Sequence, residues 1–172
     1  MRLHEFVHLA ARRLGLKVGR VQAIAGRLQD EGSLRKTEGS RRHPLEISEP
    51  EIVTLLLALL GESGIGTGPE AARTFAALQA DDGSKFERFL SFVLFGPPVE
   101  LRHVVARQNP PGVSVIVDGR HVNFGDQPSI ANSTAARVVP GEALIAMAAE
   151  IRGETPANAD ALAAIHNIRR SA

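Results

Sequence analysis

The chain of 172 residues has no cysteine, no tryptophan and no tyrosine, and its only aromatics are seven phenylalanines. Without thiols, disulfides, thiolate metal sites and cysteine nucleophiles are excluded. Without Trp and Tyr, base stacking and aromatic cages lose their usual residues. Long hydrophobic runs are missing too. The most apolar stretch, 52–60, spans nine residues, against the ~20 that a membrane helix needs. The start, Met1-Arg2-Leu3-His4-Glu5, lacks the apolar length of a signal peptide. These absences lead us to expect a cytoplasmic protein without membrane association. What is present, 44% hydrophobic residues at a mean hydropathy of -0.03, suffices for a packed core in one domain or two small ones.

The net charge of +1 hides an asymmetry. Residues 1–47 hold ten Lys and Arg against five acids, and the remainder holds ten against fourteen. A basic first quarter on an acidic body is a common footprint of a nucleic-acid-binding segment joined to something else.

Apolar spacing predicts a helix over 3–14 from Leu3, Phe6, Val7, Ala10, Ala11 and Leu14, ended by Gly15. A second helix is expected over 18–31, with Val18, Val21, Ile24, Ala25 and Leu28 inward and Gly32 as its stop. The stretch 34–47 reads as a small hairpin with a basic Gly39-Ser40 tip. Three Ser/Thr-x-x-Glu capping boxes follow at Ser48–Glu51, Thr67–Glu70 and Ser84–Glu87. The first opens an almost all-apolar helix over 52–60, expected to be buried on all sides. The segment 62–68, rich in glycine, reads as a flexible joint. Phe86, Phe89, Phe92 and Phe95 at helical spacing are expected in the core. Strands are expected over 99–107, 113–117 and 121–124, with Asp118-Gly119 as a hairpin turn. Helices over 141–152 and 157–169 close the chain, the last opened by Thr155-Pro156.

The outward face of the second helix carries Gly19, Arg20, Ala23, Gly26, Arg27 and Asp30. Its middle is small and its flanks are basic. An interior Gly costs a helix about 1 kcal/mol relative to Ala, so Gly26 calls for a reason: close approach to a partner, or tight packing on a neighbouring helix. A small, basic helix suits the DNA major groove, where Arg reaches guanine or phosphate. The basic turn after it suits the backbone or the minor groove.

The run Phe6-Val7-His8-Leu9-Ala10-Ala11-Arg12-Arg13-Leu14-Gly15-Leu16-Lys17-Val18-Gly19-Arg20-Val21, with Leu28-Gln29-Asp30-Glu31-Gly32-Ser33-Leu34, resembles winged helix-turn-helix DNA-binding proteins over residues 3–60. The resemblance implies that 18–31 is the recognition helix and the turn around Gly39 the wing. Arg20, Arg27 and Gln22 are then expected to read or position on the groove, and Lys17, Arg35, Lys36, Arg41 and Arg42 to contact phosphate.

His4-Glu5-Phe6-Val7-His8 matches H-E-x-x-H, which on a helix sets two His one turn apart to share a zinc ion, with the Glu activating water. Against a zinc peptidase stand Arg12 on the same face and the lack of a familiar downstream third ligand; Glu31, His43 and His103 could serve only by folding. The Gly64-x-Gly66-x-Gly68 run lacks the preceding strand and the Lys-Ser/Thr of a phosphate loop. Asp81-Asp82-Gly83 lacks the continuing oxygen ligands of a calcium loop. His103 and His121 fall on strands without a nucleophile.

The expectation is an α+β protein: a winged-helix-like domain over 1–61, and a mixed part over 67–172 with a three-stranded antiparallel sheet, suited to homodimerisation. The expected function is sequence-specific binding of double-stranded DNA in transcription control of bacterial or phage type, without catalysis, metal or cofactor. The alternatives are a phage packaging or assembly subunit, an adaptor that binds a protein such as RNA polymerase, and the zinc peptidase.

Overall fold

A computed structural model describes residues 1–36, 46–126 and 134–168. The chain is α+β. Helices α1 (Leu3–Arg13), α2 (Val18–Asp30) and α3 (Glu49–Gly61) lead through a 3-10 turn (Ile65–Thr67) to α4 (Gly68–Ala77) and α5 (Phe86–Phe95). Strands β1 (Leu101–Gln108), β2 (Pro111–Val117), β3 (Arg120–Gly125) and β4 (Ala136–Pro140) follow, then α6 (Gly141–Ile151) and α7 (Pro156–Ile168). None of the described helices is long and apolar enough to cross a membrane.

The first three helices follow the spacing that predicts them. Phe6, Val7, Ala10 and Ala11 bury one side of α1, and Gly15 leaves it at φ +65. Val21, Ile24, Ala25 and Leu28 bury one side of α2. Gly32, at φ +77, turns the chain so that the Ser33 and Leu34 amides both donate to the Leu28 carbonyl, closing the helix end. In α3 every residue from 55 to 61 is buried. The Glu51 carboxylate accepts the Ser48 amide at 2.9 Å, as its capping box predicts.

The other two boxes are built differently. Thr67 spends its hydroxyl on the turn before it, accepting the amides of Ser63 and Gly64 at 3.2 Å. Ser84 donates its hydroxyl to Asp82 at 2.6 Å, and Lys85 takes the cap position of α5. The expected joint at 62–68 is thus a hydrogen-bonded 3-10 turn, with Glu62 fully buried, and not an open linker.

Among the described residues the sheet has four strands in the order β3-β2-β1-β4, all neighbours antiparallel, where the sequence predicts three. The β2–β3 hairpin turns on Asp118 (φ +47) and Gly119 (φ +72), two left-handed residues as a type I′ turn requires. The unforeseen strand β4 is five residues long and ends in Pro140, which suits an edge and weakens the sequence signal. It pairs with β1 from Arg107↔Ala136 to His103↔Pro140.

One continuous core takes Phe6 from α1, Leu28 from α2, Leu56 from α3, Phe75 from α4, Leu90 from α5, Val104 and Val115 from the sheet, and Met147 from α6. It has no break at 61–67. Phe86, Phe89 and Phe124 cluster with ring centroids 5.3 to 6.1 Å apart. Phe92, expected inside, is 46% exposed on the far side of α5. Helix α7 rests on α6 through Ala146, Ala149, Ala159 and Ala163. Arg13 ties both to α1, bonding Glu150 at 2.7 Å and pairing with Asp160.

Candidate nucleic-acid interface

Helix α2 buries Val21, Ile24, Ala25 and Leu28 and turns its other side outward. Gly19 and Gln22 are exposed, Ala23 and Gly26 half-buried, Arg27 and Asp30 exposed, and Lys17 is exposed at the N-cap. A Cβ built on Gly19 or on Gly26 would meet nothing within 4 Å. The small residues therefore do not serve packing on another described helix, which removes one of the two reasons for an interior glycine here.

The expected basic residues separate into distinct settings. Arg27 has no ion-pair partner among the described residues. Arg20 points away from the open face, along a fork to Glu62: Nε to Oε1 at 2.9 Å and Nη2 to Oε2 at 2.7 Å. Glu62 also accepts Arg137 Nη2 at 3.0 Å, and its carbonyl accepts the Gln108 carboxamide at 2.7 Å. A fully buried carboxylate held by two arginines ties α2 and the end of α3 to β1 and β4. Sequence reading missed Glu62 because it falls in the presumed joint. The available signal was an acid directly following an almost all-apolar helical run.

Arg35 forks on Glu51 at 3.0 and 2.8 Å and donates to the Glu46 carbonyl at 3.0 Å. Its guanidinium is the leading reason that the Glu51 carboxyl lies far below the usual carboxylate range, outweighing burial. Lys36 lies 3.1 Å from Asp30, with both side chains exposed, an arrangement worth little. Arg41, Arg42 and His43, with the expected hairpin tip, lie outside the described residues. The base of that segment is tied to the chain start: the backbones of Arg2 and Glu46 form an isolated antiparallel β-bridge, and the Ile47 amide donates to the Met1 carbonyl at 3.0 Å.

Below the open face of α2 is a cavity of about 280 Å³ between the start of α1, α2 and the residues 34–36 and 46–51. Its lining includes Gln22, Gly26, Arg35 and Lys36.

His4 and His8 are exposed on α1. Between them, Glu5 accepts the Arg2 amide at 2.6 Å, a helix cap that lowers its pKa. Among the described residues no three His, Asp or Glu side chains gather closely enough to hold a metal ion. Glu31, one candidate third ligand, pairs with Arg73 at 2.7 Å, and His103 lies on β1. Asp82 accepts the Ser84 amide and hydroxyl, a turn closed by Gly83 at φ +80.

No protein-family model, no curated protein and no solved structure matches the chain.

Proposed function

We propose that the protein is a regulator that binds double-stranded DNA sequence-specifically through α2, working in the cytoplasm and without catalysis. The observation that carries this reading is the bare face of α2. Gly19, Ala23 and Gly26 leave space outside the helix, and Lys17, Gln22 and Arg27 rim that space from exposed positions. A duplex can then approach the helix backbone closely, with Gln22 and Arg27 at base edges and Lys17 and Lys36 at phosphates. Arg20 acts by holding α2 against Glu62, and Arg35 by fixing the base of the 34–47 segment. The backbone β-bridge between Arg2 and Glu46 supports reading that segment as a wing, since it joins Glu46 to the chain ahead of α1. A dimer would let two copies of α2 address two half-sites. Leu162 and Ile165, half exposed on α7, give apolar surface for it.

The test is fluorescence anisotropy on duplexes selected from random sequence, at two salt concentrations. Gln22→Ala and Arg27→Ala are each expected to weaken the selected site by about 1–3 kcal/mol. Lys17→Ala is expected to weaken all duplexes alike and lower the salt slope by about one. Affinity that ignores salt, or parent and variants that bind equally, overturns the reading.

A further inference from the structure

We propose that the cavity beneath α2 binds a small carboxylate with an apolar body. Its volume, about 280 Å³, sits at the lower edge of the roughly 300–1,000 Å³ typical of small-molecule sites. The occupant is thus a single ring or a short hydrocarbon with one charged group. The floor is hydrocarbon, from the buried Val7, Ala25 and Leu34. At Gly26 a Cβ would find nothing within 4 Å, so the space against the helix backbone is open.

A fixed frame surrounds this space. Gln29 Nε2 donates to the Arg35 carbonyl at 3.0 Å. Arg35 in turn grips Glu51 and the Glu46 carbonyl. These bonds join α2, the chain after it and the start of α3, and they hold the walls apart.

Charge selects the ligand's polar end. Among the described residues the lining holds two carboxylates, both already committed, Glu46 to the Met1 amino group at 3.0 Å and Glu51 to Arg35 and Ser48. The exposed Arg2 and Lys36 stand at the rim. Among the described residues Lys36 pairs with the exposed Asp30 alone, and such a pair gives way to an incoming carboxylate at little cost. A neutral hydrocarbon would leave the rim unused, and inorganic phosphate would leave the floor unused. Resting on the DNA reading above, a ligand beside Gln22 and Gly26 would also compete with the duplex.

The experiment titrates 3-phenylpropionate into the full, 15N-labelled chain without DNA, with 3-phenylpropionamide as the neutral counterpart. Saturable amide shifts are expected at Val7, Ala25, Gly26 and Leu34, with the amide binding about fivefold or more weakly. Gly26→Leu, whose side chain enters the open space, is expected to keep the folded spectrum and abolish the shifts. Lys36→Gln is expected to weaken the acid and leave the amide unchanged. Shifts that are absent, that fall elsewhere, that survive Gly26→Leu, or that are equal for acid and amide overturn the proposal. Because no DNA is present, that failure leaves the DNA reading standing. A chain that takes the ligand but shows no salt-dependent DNA affinity removes the DNA reading alone.

Discussion

Glu62 shows how far a single side chain can redefine its neighbours. A buried carboxylate is tolerated only with partners, and here Arg20 and Arg137 supply them. Glu62→Ala would leave two cations without their counter-charge and should destabilise the fold by about 3 kcal/mol, the low end because the Arg20 side chain keeps 38% of its exposure. Urea unfolding measures this. By the same logic Arg20→Ala should lower the midpoint, while Arg27→Ala should stay within about 0.5 kcal/mol of the parent. An Arg20→Ala midpoint equal to the parent's would mean that the arginine is not structural. Glu51 gives a pH dependence of definite sign. Its folded pKa lies below the ordinary 4.5, chiefly because of the Arg35 bond. Its contribution is therefore complete above the unfolded value and fades as pH falls from about 5. Glu51→Gln should be less stable at neutral pH and should lose less on acidification than the parent, as followed by thermal midpoints across that range.

Among elements, helices with regular apolar spacing are legible in the sequence and short edge strands are not. The run 52–60 announces its burial because Thr54 is its one polar residue. β4 stays hidden because five residues ending in proline carry too little alternation. Ser84 misleads because Asp82, two residues earlier, captures its hydroxyl. The glycines divide in the same way between local and tertiary reasons. Gly26→Ala should raise thermal stability by up to about 1 kcal/mol, since helix propensity improves and the new methyl meets nothing within 4 Å. It should also weaken DNA binding if the face needs to be bare. Gly141→Ala should do the opposite to stability. Its Cβ would collide with the Leu101 carbonyl oxygen, where α6 starts against β1, and backbone cannot yield as a flexible side chain can. A loss of more than about 1–3 kcal/mol is expected. Calorimetry on the two variants compares them directly, and equal midpoints would contradict the close approach.

At the scale of the molecule, α3 packs against α2 from the first quarter of the chain and against α4, α5 and β1 from the rest. Its buried residues belong to the same core as those of α5, the sheet and α6. An excised fragment of residues 1–61 would turn Leu55, Leu56 and Leu59 partly to water, so it should be unfolded or aggregated, while the full chain should melt in one transition. Circular dichroism and calorimetry test this, and a cooperative melt of the fragment alone would show that the first quarter carries a core of its own.

The sequence by itself determined the mixed class, the paired faces of α1 and α2, the burial of α3 and the Asp118-Gly119 turn, because each depends on residues a few positions apart. It also marked the small, basic face of α2. Only the tertiary structure decided which arginines that face keeps. Arg20 is drawn off by an acid 42 residues away, which is shared with an arginine 75 residues beyond it. Side-chain spacing along a helix records which way a residue points, but a charge settles according to the partner the fold brings to it.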